Sequence, residues 1–184
     1  GYGGWTWQRF VNRYEPNPDG THRKRSSPFV FLGKDQKPTL DVGRYFEEAS
    51  DGERPDVVFF LLGINDCFSA NPDDLAATDE RIDAMFKQTE TLLSAFRKAA
   101  PRADLAICVT TPPNSREKAF VANYKGRYPR WGWKRIQHRL VERLLAEFEP
   151  RARETADQPG RLFVVPTHLN LDPIDGYPEN NGVH

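Results

Sequence analysis

Residues 57–62 read Val-Val-Phe-Phe-Leu-Leu, six apolar side chains in succession between Pro55-Asp56 and Gly63. A strand with one wet face alternates apolar and polar residues, so an unbroken run of this length suits a parallel strand covered on both faces. The chain that follows has the elements to build such a sheet. Ile82, Met85, Phe86, Thr89, Leu92, Leu93 and Phe96 fall on one face of a helix that Pro101 ends. Residues 105–109 are the next apolar strand. Ile136, Leu140, Val141, Leu144, Leu145 and Phe148 make a second amphipathic helix, expected to stop at Pro150, and residues 162–165 make a third strand. Strand, helix, strand, helix, strand predicts an α/β fold: a parallel central sheet with right-handed crossovers in a three-layer α/β/α, flavodoxin-like arrangement. At 184 residues the chain is the size of one domain.

Outside this alternation the pattern is weaker. Pro16, Pro18, Gly20 and the basic run from His22 to Arg25 break any period, which predicts a surface excursion over residues 12–55 with a short helix near 41–48. Lys and Arg total 26 and Asp and Glu total 26, so no basic field is present to hold nucleic acid. No apolar run approaches the roughly 20 residues of a membrane span. Cys67 and Cys108 are too few for a disulfide framework and lack metal-ligand spacing. His138 lies off the apolar stripe of its helix and is expected in solvent, while His22 and His168 have no partners at metal-ligand spacing; neither a metal nor another cofactor is expected. Aromatics cluster at Tyr2, Trp5, Trp7 and Phe10 and again at Tyr124, Tyr128, Trp131 and Trp133. They suit core and interface packing first, and as the alternative the wall of a sugar-stacking or acyl-binding cleft.

In open parallel sheets ligands sit beyond the carboxyl ends of the strands. The first strand runs there into Gly63-Ile64-Asn65-Asp66, which by itself also fits an ordinary Asn-Asp turn. The chain opens on Gly3-Gly4-Trp5-Thr6 and closes on Gly182-Val183-His184. Taken together in this order, the three segments resemble the blocks of the SGNH hydrolases, the GDSL-like esterases and lipases. Gly4-Trp5-Thr6 fits the glycine block, Gly63 to Asp66 the Gly-x-Asn-Asp block, and Gly182-Val183-His184 the block that holds the catalytic histidine. The resemblance implies that His184 is the base of a serine hydrolase. It also implies that the Gly4 backbone N–H and the Asn65 side-chain amide donate to the oxyanion formed on attack.

The family's first block, a strand ending in Gly-Asp-Ser, has no counterpart here. Ser26, Ser27, Ser50, Ser69, Ser94 and Ser115 all stand in other contexts. In the family that strand lies in the middle of the sheet, so the resemblance leads us to expect a protein that continues before Gly1 and beyond His184. Asn181 occupies the place of the usual triad aspartate. Its amide oxygen, a neighbouring carboxylate (Asp175 first, then Glu179) or no third residue at all can complete the site. The implied activity is hydrolysis of a small acyl ester, acetyl groups on carbohydrate leading, with Asp66, Trp5 and Trp131 toward the substrate. Trp131 fits equally a packed cap over the second helix. Two other readings are a carbohydrate-binding relative that has lost the serine and an unrelated flavodoxin-like binding domain. Several family members are exported, which favours a periplasmic or secreted setting; no feature specifies an oligomeric state.

Overall fold

The structure is a computed structural model that describes residues 2–19, 25–124 and 127–178. Its sheet is formed by β3 (Val57–Phe60), β4 (Asp104–Cys108) and β5 (Leu162–Val165), parallel throughout and in that spatial order. Helix α3 (Leu75–Ala99) joins β3 to β4, and α4 (Glu117–Tyr124) followed by α5 (Arg130–Glu154) joins β4 to β5. The result is a mixed α/β domain with a parallel sheet flanked by helices, consistent with a three-layer α/β/α fold that has few strands.

The strand alternation decides what enters the core. Phe60 pairs with Ile107, and Leu105 with Leu162, on one face of the sheet. These four are buried with Ile82, Met85, Leu92 and Phe96 of α3 and Ile136, Leu140, Leu144 and Phe148 of α5. The apolar stripes read from the sequence are therefore the faces the helices bury. Between the two helices runs an ion-pair clamp. Arg139 grips Asp79 with two hydrogen bonds of 2.7 and 2.8 Å, Arg143 reaches the same carboxylate at 2.9 Å, and Arg143 also bonds Asp83. Asp74 caps the start of α3 by accepting from the Ala77 N–H at 2.9 Å.

Two expectations are corrected. Helix α5 does not stop at Pro150 but runs through it to Glu154. Proline removes one backbone donor, and ion pairs hold the last turn: Arg151 reaches Glu90 on α3 at 3.1 Å and Glu147 at 3.3 Å. The region 12–55 is likewise more than a surface excursion. It contains a hairpin of β1 (Val30–Leu32) and β2 (Pro38–Leu40), and then α2 (Val42–Ala49), the short helix the sequence predicts, capped by Asp41. Ser26 and Ser27 are buried, and the Ser27 hydroxyl donates to Phe10 O at 2.6 Å. Phe29 and Phe46 pack edge-on against Phe96 of α3.

The run 57–62 is covered on one face only, among the described residues. Its other face is left open: Val57 is 43% exposed, Phe59 67% and Leu61 56%, with Phe163 of β5 in the same row. On its outer edge β3 has no strand partner among the described residues. An apolar groove of about 260 Å³ runs along that edge, lined by Phe10, Phe29, Phe60, Leu62, Leu92 and Phe96.

Candidate active site

At the carboxyl end of β3 the chain turns at Gly63, whose φ of +115° favours glycine. A Cβ there would also stand 3.2 Å from Met85 Sδ and 3.6 Å from a Leu140 methyl, so both the backbone and the packing require glycine. The amides of Asp66 and Cys67 donate back to Gly63 O, closing a tight turn that presents Asn65 and Asp66 beyond the sheet.

That turn meets the amino-terminal segment. Helix α1 (Trp7–Asn12) is capped by Thr6 and anchored by Trp7, which is fully buried and stacks on Phe60 with ring centroids 5.4 Å apart. Immediately before α1, Trp5 O accepts a hydrogen bond of 3.1 Å from Asn65 Nδ2. The Trp7 N–H donates to both carboxylate oxygens of Asp66, at 3.2 and 3.3 Å. Two segments some 60 residues apart in the chain are thus joined side by side. Gly4 precedes this junction with φ +74°. A Cβ at Gly4 would have no atom within 4 Å, so glycine is required there by the backbone and not by crowding. The Gly4 carbonyl accepts from Arg9 Nη1 at 2.8 Å, and its N–H has no hydrogen-bond partner among the described residues.

Burial pushes the Asp66 carboxyl up to about 7, against the opposing pull of the Trp7 N–H, its own N–H and the Arg9 charge. A polar depression of about 280 Å³ opens beside it, lined by Thr6, Gln8, Asn65, Arg81 and Gln88. Its neighbour Cys67 is wholly buried; burial first and the Asp66 charge second push that thiol up to about 12. A thiol so disposed is protonated at neutral pH and inert as a nucleophile.

The other predicted site residues are spread more widely. Trp5 is buried, its ring packed against Tyr2 and Phe10 at 4.8 and 5.0 Å, which leaves little of it for a substrate. Trp131 sits in the first turn of α5, at the carboxyl edge of the sheet, 62% exposed with Arg130 and Lys134 over its ring. Tyr128 and Trp133 are buried, and the Tyr128 hydroxyl donates to Phe68 O and Ala70 O. Asp175 lies in the loop after β5, its carboxylate largely in solvent and 3.6 Å from Arg116. His138 is exposed on α5, 3.4 Å from Glu142. His184, Asn181, Glu179 and His22 lie outside the described residues.

Among the described serines, Ser26 and Ser27 are buried structural hydroxyls, Ser50 bonds Phe46 O and Glu53 O at the end of α2, and Ser94 is on the outer side of α3. Ser69 is exposed and lines the same depression as Asn65 and Asp66, its hydroxyl accepting from Arg127 Nη2 at 3.5 Å. Ser115 accepts from Lys134 Nζ at 2.9 Å while its carbonyl takes Arg130 and its N–H donates to Pro173 O, a knot between loops.

Three further polar groups lie at the same edge, of which the sequence offers only His168, and that without a partner at metal-ligand spacing. Thr110 Oγ1, Asn114 Nδ2 and His168 Nδ1 are buried without a hydrogen-bond partner among the described residues. Their position just after β4 and β5 was the available signal, and no motif marked them. Fold and turn together define an α/β domain whose sheet carries an amide and a carboxylate at its carboxyl edge, both bonded to the start of α1. No family model, curated protein or solved structure matches the chain.

Proposed function

We propose that this chain forms most of a serine esterase domain of the SGNH kind, acting on small acyl esters, with acetylated carbohydrate as the leading substrate class. The observation that carries the reading is the bond from Asn65 Nδ2 to Trp5 O, beside a Gly4 N–H without a partner among the described residues. It supports the reading because two oxyanion donors must converge on one atom, and these two segments are far apart in sequence.

In this scheme a serine hydroxyl attacks the ester carbonyl and its proton passes to His184. The negative oxygen of the tetrahedral intermediate accepts from the Gly4 N–H and the second N–H of the Asn65 amide. Collapse expels the alcohol, which takes the proton from the imidazolium. Water then attacks the acyl-serine by the same route in reverse, releasing the acid. None of the described serines has a described histidine or carboxylate as a hydrogen-bond partner, and Ser69, which shares the depression with Asn65 and Asp66, is exposed and accepts from Arg127, so the reading assigns the serine to a further strand. The open edge of β3, with apolar groups on both sides, supports a strand there: it offers unpaired backbone groups and a groove that alternate apolar side chains can fill.

The test is hydrolysis of p-nitrophenyl acetate and of an acetylated oligosaccharide by the protein from its natural source and by its Asn65→Ala variant. The reading expects turnover that falls about 10²–10³-fold in the variant with KM little changed. Binding of the oligosaccharide with no turnover by the parent protein would instead support the carbohydrate-binding alternative.

A further inference from the structure

Asp66 makes a contact that oxyanion stabilisation does not itself require. Its carboxylate takes the Trp7 N–H on both oxygens, and Trp7 is the first residue of α1, two residues beyond the carbonyl held by Asn65. Residues 4–7 are therefore pinned at two points by consecutive side chains of one turn. Trp7 fixes the far end by its stacking on Phe60. The near end carries Gly4, at a positive φ, and the Tyr2–Trp5 turn hydrogen bond of 3.3 Å. Loss of either pin lets the near end shift, and a displacement of a fraction of an ångström is enough to misdirect an oxyanion donor.

We propose that Asp66 is a positioning residue whose ionised carboxylate holds residues 4–7, and the Gly4 donor with them, and that proton uptake by Asp66 loosens that hold. The proposal rests on the esterase reading for its functional consequence and not for the clamp itself. A carboxylate accepts more strongly than a neutral carboxyl, and only the carboxylate can take the shared N–H on two equivalent oxygens. The polar depression beside the residue gives a proton a route in. Around Asp66, α1 contributes Arg9, α3 contributes Arg81 across the depression, and its own turn contributes Cys67, a thiol that stays neutral. Burial opposes the ionised form, while the Trp7 N–H, the residue's own N–H and the Arg9 charge favour it, a balance that sets the transition near neutrality.

The experiment follows the Trp7 backbone amide by ¹⁵N NMR from pH 5 to 9, with its hydrogen-exchange rate, in the protein and in Asp66→Asn. The clamp predicts a shift with a midpoint near 7, weaker protection on the acid side when the exchange rate is referred to that of an unstructured amide at the same pH, and no such titration in the variant. Where turnover is measurable, kcat in the parent falls on the acid side with a step whose midpoint lies near 7, and that step is missing in Asp66→Asn. A Trp7 amide that does not titrate in the parent, or that titrates equally in the variant, overturns the clamp, active enzyme or not. A titrating amide in a protein that hydrolyses no ester leaves the clamp standing and removes the esterase reading.

Discussion

Asn65 and Asp66 are neighbours with different duties, and each sets a prediction of its own. The Asn65 amide uses one N–H on Trp5 O and keeps the other. Asn65→Asp keeps the size but turns a donor into a repelling carboxylate, so it should lose at least as much turnover as the alanine variant, read from kcat with acetyl esters. For Asp66 the stability effect has the opposite sign to the functional one. Its folded-state value of about 7 lies above the ordinary 3.8, so the folded protein binds the proton more tightly than the unfolded chain does. The contribution is present at low pH and is lost as pH rises from about 4 to about 7. Asp66→Asn should therefore melt higher than the parent at pH 8, by thermal denaturation, while its turnover falls. A variant that melts lower at pH 8 than the parent would contradict the burial cost assigned to this carboxylate.

Elements carry the next predictions. Helices α3 and α5 are joined by the Asp79, Arg139 and Arg143 cluster, and the hydrogen bonds from the two guanidinium groups, Arg139 first, hold Asp79 down at about 2. That contribution to stability is present above the ordinary 3.8 and fades as pH falls toward 2. The cluster is partly exposed, so Asp79→Ala should cost about 1 kcal/mol at pH 7, roughly 3 °C in melting temperature. Strand β3 carries the other. Its open row of Val57, Phe59 and Leu61 is a surface for self-association in this 184-residue chain. Light scattering of that chain should fall in Phe59→Lys, which places a charge on the open row and leaves the Phe60 side untouched. Helices with a clear period were legible in the sequence because their stripes, such as Ile82 to Phe96 and Ile136 to Phe148, are set by burial alone. The β1–β2 hairpin was not, because three-residue strands, one of them beginning at Pro38, are too short to show a period and are held by packing on α1, with Phe29 just before β1 against Phe10 and Phe96.

At the scale of the molecule, the parallel sheet was legible from the unbroken apolar runs, whereas the bond from Asn65 Nδ2 to Trp5 O follows from no local pattern. The coverage of the sheet was not legible either. An apolar run of six states that both faces want cover, but it does not state which element supplies it, and among the described residues α3 and α5 supply one face only. Trp5 was open between two places for a related reason, since an aromatic next to a motif reads the same whether it faces a ligand or, as here, packs on Tyr2 and Phe10. The central claim is an activated serine acting with Asn65 and His184. Its most direct test is the intact mass of the protein from its natural source before and after exposure to a fluorophosphonate, with the adduct located by peptide mapping. The account predicts one adduct, on a serine other than the six in this sequence and within a strand that pairs with β3. A properly folded protein that takes up no fluorophosphonate would contradict it.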